Sequence, residues 1–253
     1  MSLNIGNPSI DRAKAQVKWI EEREEDIFIL TETKNSEGCN YIENYFFQYE
    51  YNFFSLNPGQ KYNVYFPKSK TNDLGVMVVS KFPIKNMFSL FDLENRFHTR
   101  IVDVDIEYHN KDVHIIGLYV PSRDRTDEKV QRKKMFLIEV AKHINMLKKS
   151  SCVICGDLNI LEKNHIPHYS TFFDWEYAFY DYFSKQNFLD AYRYCFPQNN
   201  EYSWVGRTND GYRYDHCFVS NDILPNIKKC FYVHETRNDS LTDHSAIVLH
   251  LEF

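Results

Sequence analysis

Several stretches of the chain end an apolar run on side chains able to bind metal or move protons. IFIL (27–30) is followed by Thr31 and Glu32, and IIGL (115–118) by Tyr119. CVIC (152–155) leads into Gly156, Asp157, Leu158 and Asn159, and LTDHS (241–245) places Asp243 and His244 just before the run IVLHLEF. Asn4 in SLNIG is a fifth, weaker member. Asp215 in RYDHCFVS is an acid inside a strand pattern, where a buried carboxylate needs a partner and an imidazole is a suitable one.

If these strands lie side by side, three carboxylates, an Asn, a Tyr and a His meet on one rim. Clustered carboxylates repel one another and call for a cation or a proton between them. Oxygen ligands, with one or two carboxylates and several waters, suit Mg²⁺. No Cys or His cluster offers a transition-metal site instead. Taken singly, each residue also has an ordinary structural reading. Asp157 is a turn residue or cap, Asp243 a cap of the last strand, Glu32 a loop acid and Tyr119 a core ring. Order and spacing together carry the inference. Weaker candidates for substrate contact are Arg100 in HTRIV, Arg123 and Arg125 just past Tyr119, and Trp204, which can stack on a base or fill the core. His98 and His216 read as structural or exposed.

The elements that must position these residues follow from periodicity. Residues 10–23 put Ile10, Ala13, Val17 and Ile20 on one helical stripe, and 128–148 put Phe136, Val140, Ile144 and Leu147 on another. Helices are also expected over 39–48 and over the aromatic segment 174–188. Strands are expected at 3–5, 27–31, 62–66, 75–80, 101–108, 113–120 and 152–157, and in YSWV, YRYDHCFVS, IKKCFYVHE and SAIVLHLEF. The polar turn at 109–110 predicts a hairpin. Asn4 lies almost at the start, so either its strand is very short or the sequence has been trimmed there. Some strands are apolar throughout and others alternate. That mixture predicts an α/β fold with two sheets packed face to face and helices outside, in a single domain over 1–253.

Composition narrows the function. Apolar residues at 43% and charged residues at 26% are ordinary for a globular chain and exclude disorder, collagen and a coiled coil. No apolar run approaches the ~18 residues of a membrane span, and no secretory signal is evident, so a cytoplasmic monomer without membrane contact is expected. The six cysteines are scattered and read as reduced thiols. Cys152 and Cys155 have CxxC spacing, but residues i and i+3 on a strand face opposite sides, so no zinc or redox site is expected of them. The net charge of −5 gives no global attraction to nucleic acid. A local strip in RDRTDEKVQRKK (123–134) names Arg123, Arg125, Arg132 and Lys133 as candidate phosphate contacts, although a solvated helix face is the commoner reading of such a segment.

The set Asn4, Glu32, Tyr119 in LYVPSRD, Asp157 and Asn159 in GDLN, Asp215 in YRYDHCFVS and Asp243–His244 in LTDHSA resembles the exonuclease III branch of the exonuclease–endonuclease–phosphatase superfamily. The resemblance runs from residue 3 to 251 with the motifs in family order. It implies a four-layer α/β/β/α sandwich, two mixed β-sheets with helices on both outer faces. It also implies hydrolysis of a phosphate ester by water, with Mg²⁺ as cofactor and Mn²⁺ as a substitute ion. In that reading Glu32 binds the metal, Asp243 does so directly or through water, and Asn4 orients their shell. Asp157 positions and deprotonates the water, Asn159 holds the phosphate, and His244, fixed by Asp215, sits on a phosphate oxygen, as does Tyr119. The alternative makes His244–Asp215 the base, and both readings stay open. The segment after GDLN departs from abasic-site endonucleases, so DNA is the favoured substrate and specificity for abasic sites stays open. A DNA endo- or exonuclease with a role in repair is the first function. A phosphatase or phosphodiesterase for a small, lipid or protein-linked phosphoester is the second. A catalytically dead binding module is the third, and the filled catalytic positions argue against it.

Overall fold

The structure is a computed structural model, and it describes residues 1–47, 49–50, 59–60, 62–88, 97–109, 111–147 and 151–253. Residue 48 of one predicted helix, residue 148 of another and residue 110 of the predicted turn lie outside these.

Among the described residues the strands build two six-stranded mixed sheets. The first runs in the order β15 (Ile227–Val233), β16 (Ala246–Leu251), β1 (Ser2–Asn4), β2 (Ile27–Thr33), β6 (Gly75–Ser80), β5 (Asn63–Tyr65). The second runs β11 (Phe188–Asp190), β14 (Asp215–Ser220), β10 (Cys152–Asp157), β9 (Lys111–Tyr119), β8 (Ile101–Tyr108), β7 (Ile84–Phe88). Within them β1 pairs β2, and β9 pairs β10, in parallel. Two further pairs are β3 (Tyr49–Glu50) with β4 (Gly59–Gln60), and β12 (Trp204–Val205) with β13 (Gly211–Tyr212).

The predicted four layers are present, and the apolar pattern explains them. Side chains alternate across a strand. In β10, Cys152 and Ile154 therefore join the core under α3 (Asp127–Met146) and α4 (Asp174–Lys185), while Val153 and Cys155 face the first sheet. On the far side α1 (Ile10–Glu21) and α2 (Glu37–Phe47) bury Ala13, Val17, Ile20, Ile42 and Phe46 against Leu3, Phe28, Leu30 and Met77. Gly117 lets the sheets close, since a Cβ there would meet Val76 and Ile29 of the opposite sheet at 2.8 and 2.9 Å.

Several elements differ from expectation. The aromatic helix ends at Lys185, because Asn187 turns left-handed (φ 64°) and Phe188 enters β11 opposite Ser220. Aromatic spacing alone does not distinguish Phe183 in the helix from Phe188 in the strand. YRYDHCFVS splits at Arg213–Tyr214: Tyr212 pairs with Trp204, whereas Asp215 pairs with Asp157. Three short helical pieces were not expected: α5 (Ala191–Cys195), a 3₁₀ turn at Asn221–Asn226, and α6 (Glu235–Asn238). No helix among the described residues is long and apolar enough to cross a membrane.

Candidate active site

Three candidate residues lie in one row across the second sheet. Asp157 is the register partner of Tyr119 in β9 and of Asp215 in β14. Gly156 makes this row possible. Its φ is 146°, and a Cβ there would fall 1.9 Å from the Leu118 carbonyl oxygen. From the first sheet come Asn4, at the end of β1, and Glu32, near the end of β2. Pairing of β2 with β6 shifts register between Thr31 and Thr33, and Glu32 itself has φ 58°. A bulge of this kind re-aims a side chain, and a left-handed non-glycine residue costs about 1–3 kcal/mol unless its surroundings hold it.

Hydrogen bonds hold Glu32. The Asn4 amide nitrogen donates to Glu32 Oε2 and to Asp157 Oδ2, each at 2.9 Å, while its oxygen accepts the Gly6 N–H at 2.9 Å. Asp157 Oδ1 accepts the Asn159 N–H at 3.0 Å. On the other flank His244 Nδ1 lies 2.8 Å from Asp215 Oδ2. Asp215 is fixed in turn, its N–H donating to Ser203 Oγ at 3.0 Å and its carbonyl accepting the Tyr232 hydroxyl at 2.6 Å. The sequence-predicted residues Asn4, Glu32, Tyr119, Asp157, Asn159, Asp215 and His244 thus come together where the two sheets meet.

The electrostatics follow from burial and crowding. Burial, then the neighbouring Asp215 charge, pushes the Asp157 carboxyl up to about 7. Burial alone would lower the His244 imidazole, but the Asp215 carboxylate outweighs it and lifts the ring to about 9. Burial, with the charges of Glu32 and Asp157, raises the Tyr119 phenol, which therefore keeps its proton as a donor.

The weaker candidates fare differently. Arg100 is buried, with its guanidinium 4.8 Å over the Tyr119 ring and donating to the Tyr119 carbonyl at 3.3 Å. It supports Tyr119 from behind. Asp243, expected as a metal ligand and not one of the weaker candidates, is exposed, and its carboxylate accepts the Trp204 indole N–H at 2.9 Å. Trp204 borders a wall of rings. Tyr169 stacks on Tyr212 at 4.2 Å and Tyr212 on Tyr214 at 5.0 Å, with Trp204 tilted against both Tyr212 and Tyr214. His216 is buried, as a structural reading requires, and lies 3.1 Å from the Ile160 carbonyl.

The expected phosphate-binding strip is corrected. Lys133 is buried and donates at 2.6 Å both to Glu176 Oε1 and to the Asn159 carbonyl. Arg123 also pairs with Glu176 and lies 4.4 Å over the Phe173 ring. Arg132 reaches Asp73 at 3.4 Å, and of the four only Arg125 is exposed without a partner in the described contacts. The strip was read as a surface because its charges were counted without their phase. Lys133 falls on the stripe of Phe136, Leu137, Val140 and Ile144, and a lysine on an apolar stripe signals a buried ion pair. Sequence reasoning also missed Ser203 and Thr242, whose hydroxyl donates to the Asn4 carbonyl at 2.7 Å. Neither carries a sequence signal of that role.

Among the described residues no group of three or more His, Cys, Asp or Glu side chains forms a ready metal cage. The hard oxygens that do meet belong to Glu32 and Asp157, bridged by the Asn4 amide nitrogen. A site with one or two carboxylates and the rest water fits Mg²⁺, which dehydrates reluctantly and seldom takes an all-protein cage.

A buried imidazole–carboxylate pair facing a crowded carboxyl, at the joined ends of two sheets, is suited to acid–base hydrolysis. The chain belongs to the Endonuclease/Exonuclease/phosphatase family, whose profile matches residues 1–244, and the family supplies the class, a phosphoester hydrolase. Solved structures agree on the fold. An AP endonuclease from Archaeoglobus fulgidus superposes with a TM-score of 0.79 at 19% identity, covering 100% of this chain and 98% of that one. A 3'-5' exonuclease from Neisseria meningitidis gives 0.78 at 18% identity, with coverage of 100% and 98%. A 3' phosphatase from Neisseria, bound to a product DNA hairpin, gives 0.76 at 17% identity, again with 100% and 98% covered. No curated protein matches the chain in sequence. Enzymes of this family generally use divalent metal ions.

Proposed function

We propose that the chain is a Mg²⁺-dependent phosphodiester hydrolase acting on DNA, an endo- or exonuclease of the exonuclease III type. The observation that carries this reading is the continuous array Glu32–Asn4–Asp157 beside Asp215–His244, bordered by the ring wall of Trp204, Tyr212 and Tyr214. Aromatic faces of this kind accept nucleobases by stacking. The DNA-acting neighbours support the same substrate class.

Glu32 would hold the metal with Asn4 orienting it and Asp243 acting through water. Bound there, the ion supplies charge stabilisation to a phosphate oxygen and to the leaving oxygen. The remaining work falls to the chain. His244, its Nδ1 locked by Asp215, offers its other ring nitrogen as an imidazolium donor to the phosphate. Tyr119 gives a second donor. The Asn159 amide, with one hydrogen on the Val120 carbonyl at 3.1 Å, has its second for the phosphate. Asp157, raised toward neutrality by burial and Asp215, positions the attacking water and takes its proton. With the Asp215 carboxylate holding the His244 ring as an imidazolium, Asp157 is the better candidate for the base.

One observation favours a second reading, a phosphomonoesterase or a hydrolase of small phosphoesters. With Arg123 and Lys133 paired to Glu176, the segment 123–134 offers little cationic surface to a long duplex. A substrate panel with Mg²⁺ separates the two: abasic duplex, nicked duplex, 3'-phosphate ends, single strand, RNA, inositol phosphates and sphingomyelin. Cleavage of DNA phosphodiesters well above the small phosphoesters supports the proposal. Turnover confined to phosphomonoesters or lipid substrates overturns it.

A further inference from the structure

We propose that Cys155 and Cys217 form a peroxide-reactive dithiol, a modification site buried between the sheets whose closure to a disulfide slows the adjacent row of carboxylates. The two residues are direct register partners on antiparallel β10 and β14, and both side chains lie in the core between the two sheets. Opposed residues of an antiparallel ladder have Cα atoms about 4.5 or 5.5 Å apart. A disulfide accepts about 4.4–6.8 Å, so either spacing can close. Cys152, three residues earlier, faces the helices in a different core and takes no part.

The dithiol is also reachable. Both thiols line a cavity of about 720 Å³ between the sheets, together with Ile29, Ile106, Ile115 and Ile247. Its other walls are the starts of β1, β2 and β9 and the end of β16, so it opens at the opposite end of the sandwich from Asp157. A molecule the size of hydrogen peroxide fits such a passage.

The chemistry closes without a further reactant. The Cys155 sulfur attacks one peroxide oxygen as the O–O bond breaks, and its thiol proton goes to the departing hydroxide, giving a sulfenic acid and one water. The Cys217 sulfur then displaces the hydroxyl as a second water. Two thiols lose two protons and two electrons, and the peroxide takes up both.

Closure reaches the chemistry through the ladder. Side chains two residues apart share a face, so the pair Cys155–Cys217 is followed by the pair Asp157–Asp215 on the same face. A disulfide draws the two Cβ atoms to about 3.8 Å from the roughly 4.5–5.5 Å of an ordinary pair. A misplacement of ~1 Å can cost about 100-fold in rate, so a fraction of that costs about tenfold.

The test treats the full chain with hydrogen peroxide, blocks free thiols, digests with trypsin without reductant and reads masses. The tryptic peptide carrying Cys155 should appear joined to the one carrying Cys217, in native protein and in Cys152→Ser, and not in Cys217→Ala. Turnover should fall about tenfold and recover with dithiothreitol, except in Cys217→Ala. Absence of the joined peptide, a bridge to Cys230 instead, or equal peroxide inhibition of Cys217→Ala would overturn the proposal. The joined peptide is read by mass alone, so a failure of the phosphoesterase reading leaves this test standing.

Discussion

The buried cluster of Lys133, Arg123 and Glu176 gives a prediction whose sign follows from counting charge. Their side chains are 2%, 6% and 1% exposed, so all three are desolvated. Two cations face one carboxylate, a net of +1. Glu176→Gln leaves two buried cations with no counter-charge, and breaking a buried pair in this way costs about 3–5 kcal/mol. Lys133→Met leaves a neutral Arg123–Glu176 pair. Its cost is the unmade bond to the half-buried Asn159 carbonyl, about 1–3 kcal/mol. Urea unfolding measures both through the midpoint, provided the slope is unchanged. Lys133→Met should also lower turnover about tenfold at saturating substrate, because Lys133 helps hold Asn159 in its left-handed conformation (φ 48°). A Lys133→Met protein less stable than Glu176→Gln, or a Glu176→Gln protein within ~0.5 kcal/mol of the parent, would refute the charge count.

Gly156→Ala should cost about 3 kcal/mol or more, because its Cβ meets backbone that cannot step aside; a parent-like unfolding midpoint would contradict this. Asp215→Asn should lower turnover at least about 100-fold with the fold retained, since His244 loses the charge that keeps it protonated and oriented, and circular dichroism beside a rate measurement checks both halves. Glu162 is held down at about 2: burial resists its ionisation, and the guanidinium groups of Arg193 and Arg213 outweigh burial. Its folded value lies below the unfolded value near about 4.3, so its stabilisation is complete above that pH and is lost as pH falls from there toward about 2. Glu162→Gln should therefore flatten the acid limb of stability against pH, and an unchanged limb would remove Glu162 from it.

The site was more legible in the sequence than the fold's details. Asp157, Asp215, His244, Glu32 and Asn4 each follow or open an apolar run, so neighbouring strand ends gather them whatever the loops do. The bulge at Glu32 was not legible, because nothing in IFILTET marks the register shift against β6. Lys133 was legible in principle from its phase on the apolar stripe, but charge counting hid it. Asp243 carries the same motif signal as His244, yet its carboxylate turns to the Trp204 indole, a contact between segments far apart in the chain. The break of YRYDHCFVS at Arg213 depends on Glu162 and Asp190, which bind that guanidinium from elsewhere in the chain.

The central claim is that Asp157, crowded by Asp215 and tied through Asn4 to Glu32, activates water for metal-dependent phosphoester hydrolysis. Single-turnover cleavage of a DNA substrate by the native chain and by Asp157→Asn, each with Mg²⁺ and with excess EDTA, tests it most directly. The account predicts cleavage by the native chain in Mg²⁺ alone, and a rate at least about 100-fold lower in an Asp157→Asn protein of parent-like structure. Equal cleavage in EDTA, or a native rate from folded Asp157→Asn, would contradict it.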